Sequence, residues 1–344
     1  MFKTPHLRID DANPVFDFEL RRIKRLAQPD RLLLYSALAQ FLPPLLIVLV
    51  YVWQLVVAVY ERNMGSPGTN NYGNYGYYYP QYFYVSNFMD FYGMTMQLVV
   101  GCVLLSMVIS SIYYLAVSVH AINQQLNNGH WDSLRLTPLP DNTIYVAKLT
   151  SAEIRAWRVM NVEIGSRLML ILFLLIYVLL PPQSFILGYP LIGQDSYWGS
   201  LFASFSYNTF SSLLQIGMLV ILALVLLLEP RWRMRTLLGL GLAISARVRN
   251  LSLSSIGAVM ALFGFYLGLA ALLFALLMGF HQLNTTMWLS YFYNGAFDSV
   301  TYSRLIYVLQ LTAVVVITLA GYLYYSLIRN VSQRSVLRHA FRSE

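Results

Sequence analysis

Charge is the scarcest commodity in this sequence. Charged residues make up 11% of its 344 positions, less than half of the about 25% carried by an ordinary soluble domain. With 58% of the residues apolar, so little charge cannot cover a water-facing surface, and a soluble globular protein is excluded. Cysteine is nearly absent too. Cys102 stands alone inside an apolar run, which excludes an internal disulfide and any cysteine-rich metal cluster. The histidines, His6, His120, His130, His281 and His339, are scattered and show no ligand spacing, so no metal site is expected. Neither G-x-x-x-x-G-K-[ST] nor G-x-S-x-G nor H-E-x-x-H occurs, which removes a P-loop ATP site and two common hydrolase signatures. The first 31 residues carry seven Lys/Arg but no short apolar core or cleavage site. They are expected to belong to the mature chain.

Long apolar runs are what the sequence has instead. Residues 32–60 and 168–180 meet or approach the ~20 apolar residues that cross a ~30 Å hydrocarbon layer, and the pattern recurs. Six membrane helices are expected, at about 32–60, 91–119, 166–187, 203–228, 252–280 and 304–328, making an all-α polytopic membrane protein built as a single domain over 1–344. An even number of spans places both termini on one side. If that side also takes the 120–165 and 230–250 loops, it collects all of the 23 Lys/Arg except Arg62 and Arg304. By the positive-inside rule that face is cytoplasmic, in the plasma (inner) membrane. The net charge of +8 then follows from orientation and contact with anionic lipid, and nucleic acid is not an expected partner.

Between the spans lie segments of distinct character. Asn13 and Pro14 start a helical pattern in which Phe16, Leu20, Ile23 and Ala27 share one side and Arg21, Lys24 and Arg25 the other. Residues 14–28 are therefore expected to lie on the inner leaflet as a basic amphipathic helix. Pro43-Pro44 predicts a kink in the first span. GSPGTNNYGNYGYYYPQYFY (65–84), with seven tyrosines among Gly, Asn and Pro, reads as an outer loop. Asp141 can start a helix that meets no breaker before Pro181-Pro182. Only half of its length fits a bilayer, so Lys148, Glu153, Arg155, Arg158 and Glu163 are expected to project from or skim the cytoplasmic face, with Glu163 and Arg167 paired at i,i+4. Residues 281–299 are polar and aromatic, and are expected to cap the outer face. Gln54, Gln97, Gln215 and Gln310 lie inside spans, as polar lining of a path or as interhelical hydrogen-bond partners.

Acidic residues are almost missing from the spans: Glu61, Asp90, Glu229 and Asp298 fall at their ends. An ion-driven carrier places ionisable groups near the midplane, so the energy source is expected outside the chain. Residues 127–140, NNGHWDSLRLTPLP, lie between two greasy segments. Gly129, His130, Trp131, Asp132, Leu134, Leu136, Thr137 and Pro138, followed by Ile144 and Ala147-Lys148, resemble the loop between spans two and three of ABC-2 type transporter permeases. The opening NPVFDFELRRIKR (13–25) is similar to that family's N-terminal motif. His130 and Asp132 stand where the family has Thr and Glu. The resemblance implies a cytoplasmic coupling helix, with Trp131, Leu134 and Leu136 as apolar knobs stiffened by Pro138 and Pro140. That helix would dock on a separate ATPase subunit, which binds the ATP and Mg. It further implies a transport subunit without an enzymatic site of its own, an exporter paired with a second permease copy or paralogue. Two other readings stay open: a polytopic membrane enzyme acting on lipid, and a non-transporting membrane scaffold.

Overall fold

The computed structural model describes residues 41–50, 79–127, 139–179, 209–248, 250–294 and 299–340, with isolated positions between 15 and 57. Described residues are almost all helical. A short apolar helix, α1 (Phe41–Val50), is followed by five long ones: α2 (Tyr79–Asn127), α3 (Asp141–Leu179), α4 (Thr209–Arg247), α5 (Leu251–Asn294) and α6 (Ser299–Ala340). The long helices run from 39 to 49 residues, whereas ~20 suffice to cross a bilayer. All exceed the length that one crossing needs, and α2, α5 and α6 are also apolar enough to make one.

Local sequence explains most of the ends. Pro80 sits in the first turn of α2, where a missing N–H costs nothing. Pro140 ends the preceding segment, and its carbonyl accepts the amides of Thr143 and Ile144 at 2.8 and 3.3 Å. Asp141 follows as the first helical residue, an acid at the positive end of the dipole. Helix α3 is described to Leu179. Asn250 starts α5 by accepting the Ser252 amide on its side chain at 2.9 Å.

Three expected loops are helical where they are described. The 230–250 segment is no loop: α4 continues through Pro230 to Arg247. Pro230 removes one backbone bond, and the tertiary packing of the following turns outweighs that loss. The tyrosine-rich 65–84 segment becomes helix from Tyr79 onward. Likewise α5 carries on through His281 to Asn294, so the polar stretch expected to follow a span extends that helix.

The described residues form two compact units. The smaller comprises 38–106 and 164–213, and its core joins Ile47 of α1, Val99 of α2 and Phe173 of α3, flanked by Met96, Met169 and Leu170. Ser106 and Ser166 share a 2.8 Å hydrogen bond there. The larger unit comprises 1–37, 107–163 and 214–344. In it Ile122, Ile144, Tyr145, Leu242, Ala243, Ala246 and Val336 make one core from four helices. Registers show the directions. Ser118 meets Gly241 and Ser245 accepts the Ile122 and Asn123 amides, so α2 runs parallel to α4. Glu229 meets Tyr325 while Leu242 packs with Val336, so α6 is parallel to α4 too. Tyr266 reaches Arg233 while Gly257 faces Ile244, which makes α5 antiparallel.

Glycine has a specific use at the α2–α4 crossing. A Cβ on Gly241 would overlap Ser118 Oγ, so the two backbones approach this closely only with glycine there. At Gly268 the Tyr324 hydroxyl comes within 2.6 Å of where a Cβ would stand, and it donates to the Phe265 carbonyl at 2.7 Å.

Outward faces are apolar. On α5, Val259, Met260, Phe263 and Leu267 are all more than 60% exposed. A soluble protein does not present such a stripe, and hydrocarbon accepts it without cost.

Candidate functional site

The sequence expected the first half of α3 to project from or skim the cytoplasmic face. Much of it is packed against other helices: Lys148, Glu153 and Glu163 are buried alongside Ala147, Ala156 and Met160, while Arg158 is exposed. Burying charge demands partners, and most of these come from the part of α4 that was read as a loop.

Arg233 is the centre. Its side chain is out of solvent, one turn beyond Pro230, and its Nη2 forms an ion pair with Glu163 Oε1 of α3. Nη1 donates to the Met107 carbonyl of α2 at 3.3 Å and to the Tyr266 hydroxyl of α5 at 3.2 Å. Nε lies 3.5 Å from Glu229 Oε1, one turn back on α4. The second oxygen of Glu163 accepts from Ser110 at 2.7 Å and from Tyr114 at 3.2 Å, both on α2. Glu229 accepts the Tyr325 hydroxyl of α6 at 2.5 Å. Ser111 donates to the Met107 carbonyl at 2.7 Å and shares a 2.6 Å bond with Tyr266, so the Tyr266 hydroxyl is the donor of that pair. Groups from α2, α3 and α5, with Glu229 of α4 itself, thus converge on one guanidinium, and α6 joins through the Tyr325–Glu229 bond.

A second pair lies further along. Arg235 Nε of α4 donates to Glu153 Oε1 of α3 at 3.0 Å, with Glu153 6% exposed and Arg235 34%. Burial pushes the Glu153 carboxyl above its ordinary range, against the opposing pull of Arg235, Arg231 and Arg329. Tyr145, one face of the four-helix core, is raised to about 12 by burial, with Arg329 acting against the rise.

Chemically this is a clamp. Both Glu163 oxygens are taken by donors, and no group of three or more His, Cys, Asp or Glu that could hold a metal occurs among the described residues. An ionic cluster of this kind holds helices in one register and releases them together when a partner is withdrawn.

Sequence-predicted positions fare differently. Gly129, His130, Trp131, Asp132, Leu134, Leu136, Thr137 and Pro138 lie outside the described residues, as do Arg21, Lys24, Arg25 and Gln54. Gln215 is on α4 with its side chain undescribed; Gln97 on α2 and Gln310 on α6 are exposed and have no hydrogen-bond partner among the described residues. The clamp itself was missed. Its one linear signal is Glu229-Pro230-x-x-Arg233, an i,i+4 acid and base straddling a proline at the end of an apolar run.

No family model matches this chain, and neither does any curated protein or solved structure. The class is plain from the fold: an almost entirely helical membrane protein, in which 93–123, 251–291 and 305–339 are long and apolar enough to span a bilayer.

Proposed function

We propose that this chain is the permease subunit of an ATP-driven ABC-2 type transporter. It crosses the plasma membrane six times with both termini cytoplasmic, pairs with a second permease copy or paralogue, and exports a substrate. ATP and Mg are bound by separate ATPase subunits.

What supports this reading is where residues 128–140 fall. They join the end of α2 at Asn127 to the start of α3 at Asp141. Just beyond each end, Ile122 of α2 and Ile144 and Tyr145 of α3 pack with Leu242, Ala246 and Val336. Glu163, at the heart of the clamp, stands on the same helix, which Asp141 starts. A push on the connection is therefore delivered to helices whose relative register is set by ion pairs, which is what coupling to a remote ATPase requires.

The test is co-expression with a candidate ABC ATPase subunit, followed by copurification and measurement of hydrolysis. Trp131→Ala should leave insertion and thermal stability unchanged while weakening copurification or uncoupling hydrolysis from transport. Normal copurification together with normal coupled transport in that variant sinks the proposal, and unfolding of the variant makes the stretch a structural turn.

A further inference from the structure

A cleft of about 120 Å³ opens between α4 and α6 beside the clamp. Trp232, Arg235 and Thr236 line it from α4, and Tyr322, Ser326 and Arg329 from α6. Its charged lining is wholly cationic. Arg235 already has Glu153, whose carboxyl Arg329 also attracts from beyond ion-pair distance; among the described residues Arg329 has no carboxylate within ion-pair reach and makes no hydrogen bond. The Ser326 hydroxyl likewise has no partner there. Thr236 is spent, donating to the Trp232 and Tyr325 carbonyls at 2.9 and 3.2 Å. One wall is aromatic: Trp232 and Tyr322 meet edge to face with ring centroids 5.1 Å apart.

Depth identifies the occupant. Residues 305–328 of α6 carry no charge, and Arg329 is the first that follows; at 1.5 Å per residue this uncharged run covers about 36 Å, the hydrocarbon thickness with little left over. Helix α4, parallel to α6, is uncharged from Thr209 to Leu228 and then turns charged at Glu229. Both lining segments thus sit where hydrocarbon gives way to headgroups, the level that Trp and Tyr also favour. Size narrows the choice further. Drug-sized ligands take ~300–1,000 Å³, so this cleft is too small for one, while a tetrahedral anion and its ester oxygens fit.

The geometry points to a binding site for the phosphate of an anionic lipid headgroup, with Arg329 and Arg235 as charge-assisted donors, Ser326 as a neutral one, and the Trp232–Tyr322 wall against the glycerol and upper acyl chain. Guanidinium is the suited cation, because its planar fork meets two phosphate oxygens at once. The site requires that α6 cross a membrane. It does not require that the chain be a permease.

Reconstitution of the full chain into phosphatidylcholine nanodiscs tests this, with phosphatidylglycerol added in steps while thermal stability is followed, and lipid retention read by native mass spectrometry. Wild-type protein should rise in Tm and retain phosphatidylglycerol. Arg329→Gln should match it in pure phosphatidylcholine yet bind phosphatidylglycerol about tenfold more weakly, the loss expected for one charged hydrogen-bonding group. Arg338→Gln, on the exposed end of the same helix, should bind as wild type, which separates a site from general surface charge. Equal retention by wild type and Arg329→Gln overturns the inference, as does equal loss in Arg338→Gln. Inorganic phosphate at matched concentration should be inert; a full shift from phosphate alone overturns the lipid assignment. If Arg329→Gln folds poorly, Arg329→Lys decides: it keeps the charge without the fork, partial lipid binding supports the site, and binding undiminished from wild type removes the guanidinium's role.

Discussion

Glu163 and Arg233, 70 positions apart on α3 and α4, form an ion pair in which both side chains are withdrawn from solvent. Such a pair costs several kcal/mol per ion to desolvate, and the return comes from the hydroxyls and carbonyl gathered around it.

Breaking that pair from one side should be severe. Arg233→Leu or Glu163→Leu leaves a buried charge behind and should cost about 3–5 kcal/mol, seen as a large drop in Tm of the detergent-solubilised protein. The double variant Glu163→Leu/Arg233→Leu should recover a substantial part of this. Strict additivity of the two losses would show that the residues are not coupled.

The α2–α4 crossing supplies a steric test. Gly241→Ala puts a methyl into Ser118 Oγ and should destabilise by about 1–3 kcal/mol, as overpacking does. Ser118→Ala in the same chain should relieve some of the clash. A neutral Gly241→Ala would mean that the helices can part at this point without consequence.

Glu153 carries a pH signature. Its carboxyl is raised above 4.5, first by burial, so the folded state holds that proton more tightly than the unfolded chain does. Its contribution to stability is fully present below the ordinary carboxylate range and is lost as pH rises through the raised value. Tm measured from pH 4.5 upward should therefore fall by more in wild type than in Glu153→Gln, which does not titrate. Parallel profiles would remove Glu153 from the explanation.

Membrane sidedness is open to labelling. On a Cys102→Ser background, which removes the single native thiol, a cysteine at position 75 should react with an impermeant reagent from outside and one at position 343 only after permeabilisation. The reverse pattern would invert the orientation read from the Lys/Arg asymmetry.

Within the proposed coupling stretch, polarity should matter more than size. Leu134→Asp should abolish ATPase copurification, because a docked leucine becomes a buried unpaired charge, whereas Ser133→Ala should be nearly silent. Equal effects of the two on copurification would argue against a docked apolar surface.

The sequence by itself determined the class and the coarse punctuation. Its scarcity of charge and its apolar runs demand hydrocarbon as solvent, and Pro140 bounds α3 at its start because a missing amide and a fixed φ act locally. Charge along one strand of text carries no record of what stands opposite. Lys148, Glu153 and Glu163 read only as charges projecting from or skimming the cytoplasmic face, and 230–250 as a loop. Only the tertiary structure decided that Arg233 and Arg235 face Glu163 and Glu153. The physical reason is that desolvation and pairing depend on distance in space: the same acids and bases are a water-facing fringe when apart and a buried clamp once α3 and α4 are packed together.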